Sequence, residues 1–67
     1  MAVARVTELI SSSPKSVEDA INEGIKRAAK TIRGIQGWEV VKINGKIEGN
    51  KVSEYRVHLN ITFVLEG

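Results

Sequence analysis

Read for the spacing of its apolar and polar residues, the chain divides into four segments. The last is the most regular: Tyr55, Val57, Leu59, Ile61, Phe63 and Leu65 alternate with Arg56, His58, Asn60, Thr62, Val64 and Glu66. A period of two places the first set on one face of a β-strand and the second on the other. This predicts a strand over Lys51 to Leu65 whose apolar face covers a helix. That helix is written in Val17, Ala20, Ile21, Gly24, Ile25, Ala28 and Ile32, whose spacing draws one stripe along a 3.6-residue period. Ser13 before Pro14 is the expected N-cap with proline at the first helical position, and Gly34 is the expected stop. Glu18 and Asp19 near the start, and Lys26, Arg27, Lys30 and Arg33 toward the end, suit the helix macrodipole. Gly24 within the stripe predicts a close approach of the helix to a strand.

Two further segments are strand-like. Ala2 to Ile10 is rich in Val, Thr, Leu and Ile, although neither face alternates cleanly. Trp38 to Ile47 is joined to the last strand by Glu48-Gly49-Asn50, a short hairpin loop. The order is β-α-β-β, an α+β fold with a three-stranded sheet on one helix. Nothing repeats and no linker interrupts residues 1–67, so the expectation is a single domain.

Length changes how this fold must be stabilised. A chain of 67 residues buries a modest fraction of its surface and needs a staple. There is no cysteine, and His58 is the only histidine, so neither disulfides nor the usual four-ligand structural zinc set can supply it. Oligomerisation remains, and a last strand more than ten residues long offers sheet edges on which subunits can pair. The net charge of +2 is spread along the chain, which with one Trp, one Tyr and one Phe argues against nucleic acid as a partner. No apolar run approaches 18 residues and no signal-like segment follows Met1, so the expectation is a soluble cytoplasmic protein without a membrane partner.

Several strings carry a resemblance. They are Glu8-Leu9-Ile10 followed by Ser12-Ser13, Arg27-Ala28-Ala29-Lys30-Thr31-Ile32, Glu39-Val40, the Gly45 turn, and Tyr55-Arg56-Val57 running into Phe63-Val64-Leu65-Glu66. In this order and spacing the chain resembles the dodecin family over nearly its whole length. The resemblance implies a strongly curved antiparallel sheet partly wrapped around the helix, and twelve copies closing into a hollow homo-oligomer. It also implies flavins (FMN or riboflavin) bound in pairs at subunit interfaces, stacked on Trp rings and held at their polar edge by a Gln. A planar π-system suits aromatic faces, and a carboxamide supplies both a donor and an acceptor.

At those positions this chain differs. The stacking Trp falls on Gly37, with Trp38 one residue later, where alternation points it toward the helix beside Val40. A bulge at Gly37 would instead shift Trp38 onto the ligand face. The Gln falls on Arg56, which offers donors only, and the basic residues of bacterial relatives fall on Asn44 and Val64. Each candidate has an ordinary alternative. Trp38 is a ligand platform or a core or interface residue; Arg56 is an anion or flavin-edge contact or an ion-paired residue; His58 is a ligand-site or pH-sensitive group or a hydrogen-bonded bystander. Glu39, Glu54 and Glu66 can gather Mg²⁺ or Ca²⁺ across interfaces or form salt bridges. The serine run lacks the glycines and Lys of a phosphate loop and reads as a cap. No acid, base and nucleophile set can be assembled, so no enzyme is expected. The function implied is storage of a small flavin-class ligand in a homododecamer. The alternative is a flavin-independent shell holding ions, another anionic cofactor such as coenzyme A, or a partner protein.

Overall fold

The computed structural model describes residues 3–65, so Ala2 at the expected start of the first strand and the candidate carboxylate Glu66 lie outside the described residues. Strand β1 (Val3–Ser13) leads to helix α1 (Val17–Ala28), followed by β2 (Ile35–Glu48) and β3 (Lys51–Leu65). The sheet is antiparallel with the order β1-β3-β2, so the regularly alternating last strand is central. Its apolar face does what its pattern predicts: Val57, Leu59 and Ile61 are fully buried with Ala20 of the helix. Leu9, Val17, Ile21, Ile25, Ile35 and Val40 pack around them. Gly24 explains the close fit. A Cβ there would come within 3.0 Å of Ser11 Cβ and 3.2 Å of methyls of Leu9 and Leu59.

The helix boundaries differ from the sequence reading at both ends. Ser13 still belongs to β1, paired with Tyr55, and the N-cap is Ser16, whose hydroxyl accepts from the Asp19 N–H at 2.9 Å. Ser13 is nevertheless engaged nearby: its buried hydroxyl donates to Asp19 Oδ2 at 2.6 Å and accepts from the Lys15 N–H at 2.9 Å. Pro14 therefore sits in the turn between strand and cap, where its fixed φ restricts the chain, rather than at the first helical position. At the other end α1 stops at Ala28, because the Lys30 and Thr31 amides tighten onto the Arg27 and Ala28 carbonyls. Ile32 and Arg33 thus lie in the connection. Gly34, with φ of 77°, turns that connection into β2, and its carbonyl accepts from the Val64 N–H at 3.0 Å.

The strands are longer than their patterns suggest. β1 runs on to Ser13 and β2 begins at Ile35, three residues before Trp38. The β2–β3 loop narrows to Gly49 and Asn50, both at positive φ, between the paired residues Glu48 and Lys51. That is the two-residue hairpin turn compatible with strand twist. Register shifts fall between Ile35 and Gly37, Val40 and Lys42, and Lys46 and Ile47. Each shift kinks the hairpin and raises its twist.

Much of the hairpin projects past the helix. The radius of gyration is 13.8 Å, whereas a compact domain of this length has about 11 Å. Val6, Ile10, Val41, Ile43, Ile47 and Val52 are all more than half exposed, against a core of five buried apolar residues, two of them alanines. No helix among the described residues is long and apolar enough to cross a membrane.

Two glycines at positive φ separate conformational strain from crowding. At Gly34 an added Cβ would sit 2.8 Å from the Val64 carbonyl, whereas at Gly49 nothing lies within 4 Å. Gly34→Ala should destabilise the protein by about 2 kcal/mol or more, while Gly49→Asn should stay within about 0.5 kcal/mol, since Asn tolerates this region. Urea unfolding at one fixed protein concentration checks both, and equal losses would contradict the assignment.

Candidate functional site

Because Val57, Leu59 and Ile61 face the helix, their neighbours on β3 face away from it, and register carries that division across the sheet. The helix-distal face is built of rows. Val6, Thr62 and Gly37 form one; Glu8, Asn60 and Glu39 the next; then Ile10, His58 and Lys42; then Ser12, Arg56 and Asn44. Glu54 on β3 and Lys46 on β2 follow toward the hairpin turn. Val64 pairs with Ala4 at the opposite end.

Of the sequence-predicted residues, Asn44, Arg56 and His58 come together in two adjacent rows of this face. Gly37 shares the face, but its partner Thr62 lies six residues along β3 from Arg56, about 20 Å at the strand rise of roughly 3.3 Å per residue. One planar ligand cannot touch both within a subunit, so a site that uses both needs two copies. Trp38 is on the other face. The register shift precedes Gly37, leaving Trp38 opposite Ile61 and on the side of Val40, so the irregularity does not turn the ring outward.

Trp38 is also not core. Helix α1 lies mainly over β1 and β3, so that on β2 Ile35 and Val40 reach the core while Trp38 between them stays largely open. Trp38 is 54% exposed there, one wall of an open cleft of about 660 Å³ completed by Val17, Glu18, Ile21 and Asn22 of the helix.

The strongest electrostatic contact is on the helix-distal face. Arg56 Nη2 donates to Glu54 Oε2 at 2.9 Å, the one salt bridge among the described residues. Both side chains stay partly open, at 40% and 27% of their full exposure, so water and ligands can reach them. Alternation along β3 already puts residues 54 and 56 on one face, a signal available in the sequence. That Asn44 stands opposite Arg56, and Lys42 opposite His58, was not available, because the irregularity between Lys46 and Ile47 shifts the register counted from the hairpin turn. Glu39 and Glu54 are likewise six residues apart in β3 register. No group of three His, Cys, Asp or Glu placed to hold a metal ion occurs among the described residues.

Comparison with known proteins bears on this arrangement. A family model described as Dodecin matches residues 3–66. A dodecin of Thermus thermophilus is 39% identical over 64 residues, covering 96% of this chain and 93% of its own. The solved dodecin from Streptomyces coelicolor superposes with a TM-score of 0.93 at 35% identity, over 98% of this chain and 94% of that one. A calcium dodecin from Mycobacterium tuberculosis, described as calcium chelating with a novel calcium-binding site, gives 0.82 at 26% identity over 96% and 91%.

An ion pair this open adds little to stability. A double-mutant cycle of Glu54→Ala and Arg56→Ala, followed by urea unfolding, should give a coupling below about 1 kcal/mol. A coupling above about 2 kcal/mol would mean that the pair is a buried structural element instead.

Proposed function

This chain belongs to the dodecin family, a family of small ligand-binding proteins, and we propose that it works as one subunit of a closed homo-oligomer, a dodecamer by family resemblance, that stores a small planar ligand of the flavin class without catalysing a reaction. The observation that carries the assembly is the excess of uncovered surface. The subunit exposes 5184 Å², whereas a self-standing protein of its mass exposes about 4,200 Å² by the usual size scaling. The surplus includes Val6 and Ile10 on the helix-distal face and Val41, Ile43, Ile47 and Val52 on the hairpin. Apolar surface of this extent on so short a chain is what subunit packing removes from water. The ligand reading rests on Asn44, Arg56 and His58 converging on the helix-distal face, where a polar ring edge finds both donors and acceptors.

A second reading has its own support. Gly37 gives that face no ring to stack on, and Trp38 stands on the opposite face. A particle of the same build would then hold a hard cation, as the name of the Mycobacterium tuberculosis relative suggests, or an anionic cofactor such as coenzyme A.

Light scattering on the purified protein should give a single particle many times the subunit mass. Riboflavin and FMN should co-elute with it and change their fluorescence on binding. Gly37→Trp should fold, because an added Cβ meets only Thr62 Cβ at 3.9 Å, and should bind about ten-fold more tightly through stacking. A stable monomer would refute the assembly. Absence of co-elution and of any fluorescence change in both proteins would refute the flavin class and leave the ion or cofactor reading.

A further inference from the structure

We propose that the cleft walled by Trp38 receives the β2–β3 hairpin of a second copy of this chain, and that this contact links the subunits of the particle. The inference rests on the homo-oligomer reading above and names the two surfaces that meet. Trp38 has the largest side chain in the protein, yet it stands open beside Val17 and Ile21, which lie four residues apart on one face of the helix. Glu18 and Asn22, one position further on, give this apolar floor a polar rim. An indole set on an apolar floor and ringed by polar groups is the kind of surface on which a partner gains most by excluding water.

The hairpin offers the complementary surface. Ile43 pairs with Val57, whose side chain faces the helix, and alternation along β2 puts Gly45 and Ile47 on that same side. Ile47 pairs with Val52 and is 73% exposed. Helix α1 reaches β2 only at Ile35 and Val40, so this strip has no cover within its own subunit. Charge fits as well. Residues 42–52 carry three lysines against one glutamate. Glu18 on the rim and Lys42, Lys46 and Lys51 on the hairpin are all exposed, and none has an ion-pair partner among the described residues.

The contact must run between copies. Trp38 pairs with Ile61 and Ile47 with Val52, nine residues apart along β3, or roughly 30 Å at a strand rise of about 3.3 Å per residue. A two-stranded arm cannot fold that far back onto its own cleft. Each copy therefore presents both a hairpin and a cleft to its neighbours, and a set that uses every one of them closes on itself. The surface suffices for this. The subunit exposes roughly 1,000 Å² more than size scaling gives, 5184 Å² against about 4,200 Å², and a standard interface takes about 800 Å² from each partner.

Trp38 is the only tryptophan, so its emission reports the cleft alone. In the wild-type particle that emission should lie at shorter wavelength, and be quenched by acrylamide at least about two-fold less, than in the same protein diluted to single subunits. Ile47→Glu would bury a charge without a partner, so it should expose Trp38 and dissociate at a concentration at least about ten-fold higher, read by light scattering. Trp38→Asp removes the cleft and the fluorophore but keeps the hairpin. With both variants folded by circular dichroism, mixing them should return the emission of the Ile47→Glu copies to the wild-type wavelength, because an intact hairpin then meets an intact cleft. A Trp38 as open to acrylamide in the wild-type particle as in single subunits would overturn the proposal, and this comparison stands even where a variant fails to fold. A Trp38 that stays shielded in Ile47→Glu, or a mixture of folded variants that recovers nothing, would mean that another surface fills the cleft and would overturn it too. A wild type that is a monomer at every concentration would overturn the oligomer reading and the docking with it.

Discussion

The structure depends on β3 lying at the centre of the sheet with one strictly apolar face. Val57, Leu59 and Ile61 are the only large apolar side chains fully removed from water among the described residues, and they are buried against a helix that comes close only because residues 20, 24 and 28 are Ala, Gly and Ala. A stripe of small residues lets the helix axis approach the strand, so three side chains suffice for a core. The same narrow contact sets its limit. One helix of twelve residues covers parts of β1 and β3 and reaches β2 only at Ile35 and Val40, so Trp38 and the distal hairpin stay largely open. The fold is a half-covered sheet, and its apolar remainder is the physical reason to assemble.

Central placement of β3 also organises the chemistry. Every residue that faces away from the helix is set in a row with partners on the outer strands, so the polar half of one alternating pattern becomes a two-dimensional array. Charges of both signs are banded across it: Glu8 and Glu39 flank Asn60, the next row holds His58 and Lys42, and Arg56 then meets Glu54. Such a face can bind ligands through hydrogen bonds, since few of its groups are consumed by the fold. Trp38, by contrast, was moved out of this array by a single residue of phase. Sheet geometry makes adjacent positions point to opposite sides, so Gly37 and Trp38 are neighbours in the chain yet belong to different surfaces.

The parts of the fold that could be read directly were those governed by local periodicity. The alternation in β3, the stripe of α1, the hairpin turn at Gly49-Asn50 and the close approach at Gly24 all hold, because each depends on the residue's own backbone geometry and nearest neighbours. The N-cap was displaced by three residues because two serines compete for one role. Ser13 remains paired to Tyr55 and spends its hydroxyl on Lys15 and Asp19, leaving Ser16 to cap. The helix ends earlier than its apolar stripe because Lys30 and Thr31 tighten into a turn on Arg27 and Ala28, so that Ile32, although its N–H still reaches the Ala28 carbonyl at 2.9 Å, falls outside the regular helix.

The order of residues alone carried the element order, the central role of an amphipathic strand and the expectation of partners for a cysteine-free chain of 67 residues, but it left two faces open for Trp38, and the shift that precedes Gly37 settles that choice. Only the tertiary structure decided which side chains meet. It placed Asn44 across from Arg56 and Lys42 across from His58, and it joined Arg56 to Glu54, turning a donor-only residue into half of a donor and acceptor pair. The reason is that alternation fixes the side of a sheet residue by residue, whereas pairing between strands is set by register. Three irregularities along β2 and β3 reset that register in ways no periodic pattern records.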